Sequence, residues 1–168
     1  FANVYDSFYG KSFYYDYAVF VYKIIKAFKF SNPSILDVAC GTGRLLRVLR
    51  LLSRTTKQFS FEGADISTSM LKMAKKINPK IKFYKQGFID LNTSKRYQVV
   101  TCTFDSLNYL KKKRELLQAI KKIDQHLVPG GLFIFDFNTK YKRVDGTITR
   151  RNVTFYSNTS RGFWNTKI

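Results

Sequence analysis

The sequence predicts an α/β fold, a mostly parallel sheet with helices on both faces and a short antiparallel extension at its C-terminal end. Three observations lead there. Short apolar runs of strand length alternate with segments whose apolar residues recur at helical spacing. The junctions between them carry glycines or small polar residues, as at Cys40-Gly41-Thr42-Gly43 and Ser67-Thr68. The alternation runs without an internal repeat or a Pro/Gly/Ser-rich linker, so the 168 residues read as one domain and not two.

Each element has a local cause. Between Tyr14 and Phe30, Tyr17, Val21, Ile24, Ile25 and Phe28 form one apolar face with Lys23, Lys26 and Lys29 between them, which predicts an amphipathic helix ended by Ser31-Asn32-Pro33. Ser34 to Ala39 is an apolar run closed by the glycine turn, after which Leu45, Leu46, Val48, Leu49 and Leu52 resume helical spacing. Gln58 to Ala64 predicts a second strand, and Ser67 to Ile77 a helix capped by Ser67 or Thr68. A third strand covers Ile81 to Tyr84, and a buried fourth covers Tyr97 to Phe104. Helix Lys111 to Leu127 follows, then a Pro129-Gly130-Gly131 turn and a fifth strand, Leu132 to Phe137. Parallel strands joined by helices require right-handed crossovers. Beyond Asn138 the pattern shifts to short extended pieces, Thr147 to Thr149 and Val153 to Tyr156, which predicts antiparallel pairing.

Composition narrows the function classes. With 45% hydrophobic residues the chain has apolar material for a core, which excludes a disordered tail. No apolar stretch approaches a membrane span of about 18 residues or a signal peptide. Cys40 and Cys102 lie in apolar runs without metal-ligand spacing, so neither a disulfide scaffold nor a metal site is expected, and a reducing cytoplasmic compartment fits. The net charge of +19 admits two origins: contact with nucleic acid, or A/T-rich codons that favour Lys, Ile, Asn, Tyr and Phe together. The start at Phe1 and the strand-like ending Phe163 to Ile168 suggest a piece of a longer chain.

In such a sheet ligands bind beyond the carboxyl ends of the strands. The polar residues of this sequence gather there: Asp37 and the glycine loop after the first strand, Asp65 after the second, Gly87 to Asp90 after the third. Asp105, Ser106, Asn108 and Tyr109 follow the fourth, and Asp136 and Asn138 the fifth. Gly41 and Gly43 allow a tight turn and close approach to a ligand at a helix start. Asp65 lies 24 residues after Gly41, near the spacing at which a second-strand carboxylate meets ribose hydroxyls. Leu46 occupies the place of a third small residue, which disfavours a nicotinamide dinucleotide.

The run Ile35-Leu36-Asp37-Val38-Ala39-Cys40-Gly41-Thr42-Gly43 resembles the first motif of the class I S-adenosylmethionine-dependent methyltransferases, which have a Rossmann-like fold. Gly63-Ala64-Asp65-Ile66-Ser67, Phe104-Asp105-Ser106-Leu107-Asn108-Tyr109-Leu110 and His126-Leu127-Val128-Pro129-Gly130-Gly131 are similar to its later motifs, in order, over about Tyr5 to Asn138. The resemblance implies S-adenosyl-L-methionine as cofactor. It places Asp37, Ala39, Gly41 and Gly43 at the methionine part, Asp65 at the ribose, Ile66, Phe88 and Ile89 around the adenine, and Phe104 near the amino group. Tyr5 would help close the pocket. Two departures stand out: Phe88 occupies a position that is often acidic, leaving the adenine contact to backbone groups or Asp90, and Gln98 replaces a common aspartate.

Residues 1–138 are therefore expected to form the cofactor domain, and 139–168 an antiparallel extension over the acceptor side, cut short before the family's last strands. Methyl transfer can proceed largely by positioning and desolvation, so sequence identifies no definite catalytic residue. For an amine or hydroxyl acceptor that must lose a proton, Tyr109, Asn108 and Asp136 are the nearest polar candidates at the strand ends. The Tyr5-Asp6 lead-in and the Phe104 to Leu110 segment resemble those of the family's small-molecule members, which implies a small-molecule acceptor. An RNA methyltransferase, motivated by the charge, and a non-catalytic interaction domain, motivated by Phe88 and the short end, are the alternatives. Oligomeric state is left open.

Overall fold

The computed structural model describes residues 11–30, 32–54, 59–136 and 153–157, the last segment as backbone. In chain order the elements are α1 (Lys11–Ala27), β1 (Ser34–Val38), α2 (Arg44–Leu52), β2 (Ser60–Ala64), α3 (Thr68–Ile77), β3 (Lys82–Tyr84) and β4 (Tyr97–Cys102). A 3-10 turn (Ser106–Tyr109), α4 (Lys113–Gln125), β5 (Leu127–Asp136) and β6 (Val153–Ser157) follow. The sheet order is β3-β2-β1-β4-β5-β6. The β1–β2, β1–β4, β2–β3 and β4–β5 pairs are parallel, as the alternation predicts. The order reverses at β1, which puts the crevice beyond the ends of β1 and β4.

The two faces are built by the alternation of side chains along each strand. On one, Ile35, Phe61, Phe83, Val99, Leu132 and Ile134 pack against Ala18, Val21 and Ile25 of α1, Leu45, Leu46 and Leu49 of α2, and Leu71 and Ala74 of α3. On the other, Leu36, Val38, Ala64, Val100, Cys102, Phe133 and Phe135 pack against Ile123 of α4 with Leu91, Leu107 and Leu127. Gly63 lies opposite Asp37 in the β1–β2 register. A Cβ there would stand 2.7 Å from the Phe83 ring and 3.0 Å from Cys40 Sγ, so the close approach requires glycine.

A polar cluster is buried on the second face. Glu62 Oε2 accepts from the hydroxyls of Tyr84 (2.7 Å) and Tyr97 (2.6 Å), and Oε1 from Lys95 Nζ at 2.6 Å. Burial pushes the Glu62 carboxyl up, but these donors outweigh it and hold it below its ordinary value. At the opening ends of β1 and β4, Gln98 Oε1 accepts from Ser34 N at 2.8 Å and from the Ser34 hydroxyl, so this departure from the family pattern ties two strands.

Pro129-Gly130-Gly131 differs from expectation. The segment is not a turn before the strand but part of it, since Tyr97 pairs with Leu127 and Val99 with Leu132. The surplus residues of β5 are absorbed as a bulge in which Gly130 has φ 75°. α1 begins three residues earlier than the apolar spacing indicates, and α4 is shorter at both ends. β6 pairs antiparallel with β5, with Asp136 opposite Val153. The other positions of 139–168, and Tyr5 with the lead-in, lie outside the described residues, so the proposed domain division remains an expectation.

Replacing Gly63 by Ala is expected to lower stability by about 1–3 kcal/mol, read from the midpoint of urea unfolding, because the buried Phe83 ring must move. Glu62→Gln is expected to destabilise at neutral pH and to converge on the parent in acid. A lowered folded-state pKa contributes stability above the ordinary carboxylate value of 4.5 that is lost as pH falls through the folded value. Denaturation midpoints from pH 7 down to 3 check it.

Candidate active site

The period of two also places the site's polar groups. Asp37 continues the Ile35 face of β1, Thr101 the Val99 face of β4, and Asp136 the Leu132–Ile134 face of β5, so all three emerge beneath α1 at the carboxyl ends of the strands. Thr101, paired with Asp37 in the register, donates its hydroxyl to Asp37 Oδ1 at 2.6 Å. Asp37 is buried. Desolvation pushes its carboxyl up to about 7, opposed by the Thr101 hydrogen bond and reinforced by repulsion from Asp65 and Asp136.

After β1 the chain turns sharply. Ala39 (φ 59°), Gly41 (φ 53°) and Gly43 (φ 71°) all have left-handed backbone, a conformation costly for alanine and free for glycine. Asp65 holds this loop to the next crossover, with Oδ2 accepting from Gly41 N and Oδ1 from Ser67 N, both at 2.8 Å. Ser67 then caps α3 by accepting from Met70 N at 3.3 Å. Behind the loop Asn78 Nδ2 donates to Gly43 O at 2.9 Å, and a Cβ on Gly43 would meet that nitrogen at 2.9 Å. In front, a Cβ on Gly41 would meet none of the described residues within 4 Å. The loop is thus packed behind and open before, as a ligand cradle must be.

Asp136, also buried, organises the far side. Its Oδ2 accepts from the Tyr17 hydroxyl (2.9 Å) and Phe104 N (3.2 Å), and its Oδ1 from Asp105 N (2.8 Å). Phe104 and Asp105 both have positive φ, so the carboxylate steadies a second strained turn. The Phe104 ring packs on Tyr17 with centroids 4.9 Å apart and on Tyr14 at 5.2 Å. α1 is thereby fastened over the ends of β4 and β5. Its committed oxygens make Asp136 a positioning residue more readily than a proton acceptor.

Asp37, Ala39, Gly41, Gly43, Asp65 and Phe104 are therefore gathered around one mouth at the carboxyl ends of β1, β2 and β4. Ile66 and Ile89 stand at its rim, 71% and 44% exposed, while Phe88 is tucked partly into the second-face cluster. Tyr109, 79% exposed, and the exposed Asn108 lie on the turn after β4. His126 lies at the opposite end of the sheet: its Nε2 accepts from Thr93 N at 3.0 Å while Nδ1 pairs with Lys122 O at 2.7 Å, a structural role. Sequence reasoning missed Thr101, Asn78 and the part played by Tyr17. Thr101 and Tyr17 sit among apolar residues, and Asn78 beside Pro79 reads only as a helix end. Among the described residues there is no cluster able to hold a metal ion and no helix long and apolar enough to cross a membrane.

Asp37 sets a pH dependence. A carboxyl raised from 3.8 to about 7 binds a proton in the folded state that the unfolded state has released, so stability falls as pH rises between those values and levels off above. Asp37→Asn, whose amide oxygen can still accept from Thr101, is expected to remove that slope. It would gain on the parent by on the order of a few kcal/mol between pH 4 and 7. Chemical denaturation of the ligand-free protein across that range checks it.

Residues 35–131 match the family model described as a methyltransferase domain. Over 142 residues the chain is 34% identical to a dTDP-3-amino-3,4,6-trideoxy-alpha-D-glucopyranose N,N-dimethyltransferase of Streptomyces venezuelae, covering 80% of this chain and 56% of that one. Over 103 residues it is 34% identical to a dTDP-3-amino-3,6-dideoxy-alpha-D-glucopyranose N,N-dimethyltransferase of Streptomyces fradiae, covering 61% and 38%. The chain thus spans about half the length of these relatives, or less. Among solved structures, DesVI of Streptomyces venezuelae superposes with a TM-score of 0.75 at 28% identity, over 93% of this chain and 69% of that one. The amino pentose methyltransferase CalS10 of Micromonospora echinaspora, solved with S-adenosylmethionine bound, also gives 0.75, at 23% identity over 92% and 68%, a likeness of fold. The motif loop, the sheet order and the matched family model agree: this chain belongs to the methyltransferase-domain family, with the class I S-adenosylmethionine-dependent architecture.

Proposed function

We propose that this protein transfers a methyl group from S-adenosyl-L-methionine to a small-molecule acceptor, and that the acceptor is a nucleotide-linked amino sugar or a close chemical relative. The loop at Gly41 carries the reading: an added Cβ there would meet none of the described residues within 4 Å, Asp65 holds its N–H, and Asp37 stands at the end of the strand before it. Its donor set suits the cofactor. Backbone N–H groups at the start of α2 attract a carboxylate, Asp37 attracts a cation, and Asp65 retains lone pairs for ribose hydroxyls.

That cofactor supplies an electrophilic methyl group on a sulfonium sulfur. The protein's share is to orient, to desolvate and to hold charge. Asp37, which is protonated through much of the range below pH 7, ionises more readily once a cation lies beside it. Ring contacts of Phe104 with Tyr17 and Tyr14 fasten α1 over the ends of β4 and β5. An amine acceptor must be neutral to attack. The exposed polar side chains of Tyr109 and Asn108, on the turn after β4, are the candidates for taking up its proton. The acceptor class is supported by the two nucleotide-sugar N,N-dimethyltransferases among the relatives.

Isothermal titration of the complete protein is expected to show binding of S-adenosylhomocysteine, weakened about tenfold or more in Asp65→Ala through loss of charged hydrogen bonds. Affinity should rise with pH up to about 7 in the parent as Asp37 ionises, and lose that component in Asp37→Asn. Absence of binding by the folded, complete protein overturns the cofactor assignment. A labelled-methyl screen that returns RNA as the acceptor overturns the small-molecule assignment.

A further inference from the structure

Between Tyr17 and Ile89 the acidic residues are Asp37, Glu62 and Asp65, and all three are buried. The outer surfaces of α2, α3 and α1 beyond Tyr17 therefore carry no carboxylate. Lys23 and Lys26 are exposed on α1, and Lys29 just past it. Arg47 is exposed on α2 and Arg54 just past it, while α3 exposes Lys72, Lys75 and Lys76, with Lys80 beyond its end. Among the described residues the ion pairs are Lys95 with Glu62 and Lys112 with Glu115, so none of these cations is offset by one. α4 differs, since it mixes Glu115 and Asp124 with its lysines.

The topology gathers this charge. In a parallel sheet the helices return the chain to the amino ends of the strands, so the ends of α1, α2 and α3 lie at the pole opposite the mouth. Two contacts join them there. Ser60 N, opening β2 after α2, donates to Pro33 O, before β1 and after α1, at 3.1 Å, and Arg47 Nη1 reaches from α2 to Ile77 O at the end of α3 at 2.9 Å. A cation in a last helical turn suits the helix dipole. That local cause does not extend to Lys72 and Lys76, whose i, i+4 spacing sets like charges against each other, or to three neighbouring helices without one exposed acid between them.

Apolar rings are set among these cations. Phe20 stands one turn before Lys23, and Phe28 lies beside Lys29 with its ring stacked on Phe30, centroids 6.2 Å apart; Phe20 and Phe28 are both exposed. Uncompensated positive charge with aromatic faces between is the arrangement that takes a single strand of nucleic acid, whose phosphates meet the cations while unpaired bases stack on the rings. An anionic membrane asks for a continuous apolar face to insert. The apolar faces of α1, α2 and α3 are committed to the core.

We propose that the amino-end pole of α1, α2 and α3 is a docking surface for single-stranded nucleic acid. The strand held there is a docking partner and not the methyl acceptor, because the mouth opens at the other end of the sheet. The inference adds a partner to the function proposed above and does not depend on it.

The test is fluorescence anisotropy of a labelled single-stranded RNA of mixed sequence, titrated with the complete protein over a range of salt concentrations. Neutralising one exposed cation from each helix end together, Lys29→Gln, Arg54→Gln and Lys76→Gln, is expected to weaken binding about tenfold or more and to reduce the salt slope by about 2. Lys113→Gln, Arg114→Gln and Lys121→Gln remove the same net charge from α4 and should leave affinity within about threefold of the parent. Phe28→Ala should weaken binding about fivefold or more with the salt slope unchanged, since stacking carries no charge. Thermal unfolding of each variant at the parent's midpoint shows that the fold persists. Equal weakening by the two triple variants overturns the proposal in favour of net charge alone. Displacement of the RNA by phosphatidylserine-containing vesicles reassigns the surface to lipid, and a parent that retains no RNA at low salt or a Phe28→Ala protein that binds as the parent does also overturns the proposal.

Discussion

The buried carboxylate of Asp136 is the constraint on which the shape of the mouth depends. Phe104 and Asp105 leave β4 with left-handed backbone, and their N–H groups point away from any strand or helix partner. A buried backbone donor without a partner costs about 1–3 kcal/mol, and each left-handed non-glycine residue costs a similar amount. One side chain from the neighbouring strand offsets both by accepting from the two N–H groups. It also takes the Tyr17 hydroxyl, which brings α1 across the strand ends. Sheet, strained turn and covering helix are thereby fixed to one another through a single residue.

Asp65 does the same for the other half. It reaches from the end of β2 to Gly41 N and to Ser67 N, so the loop after β1 and the start of α3 share one anchor. Both anchors are buried carboxylates, and Asp37 lies within the field of each. Its raised pKa is the record of that crowding: burial first, then the charges of Asp65 and Asp136. Under the proposed function, a ligand that brought a cation to Asp37 would relieve repulsion that the fold itself maintains, and its binding would be linked to ionisation of the group.

Local periodicity made the strands legible, because Ile35-Leu36-Asp37-Val38 and Val99-Val100-Thr101-Cys102 declare both faces of a buried parallel strand. The glycine loop was legible because its chemistry lies within nine consecutive residues. What was not legible depends on partners far away in sequence. Asp136 read as a candidate acid or base from its position at a strand end, yet its role is set by donors 31, 32 and 119 residues distant. Tyr17 read as one more apolar position of an amphipathic helix, and only the packing shows its hydroxyl reaching a carboxylate. Pro129-Gly130-Gly131 read as a turn because a bulge within a strand uses the same residues as a turn before one.

The charge of +19 and the acidic mouth are compatible because they act over different distances. Exposed lysines interact through water, and at physiological ionic strength their influence fades over a Debye length of about 8 Å. Most of the cationic side chains whose exposure is known are solvent-exposed, on α1, α3, α4 and the connecting loops. Asp37, Asp65 and Asp136 act on one another through protein, where screening is weak and the same separation counts for several times more. A cation at the mouth therefore responds first to the three nearby carboxylates, and the surrounding lysines govern what collects around the molecule. Net charge thus bears on solubility and on anionic encounters at the surface, whereas the local field in the crevice is set by the three aspartates that alternation along the strands and the turn after β2 bring together.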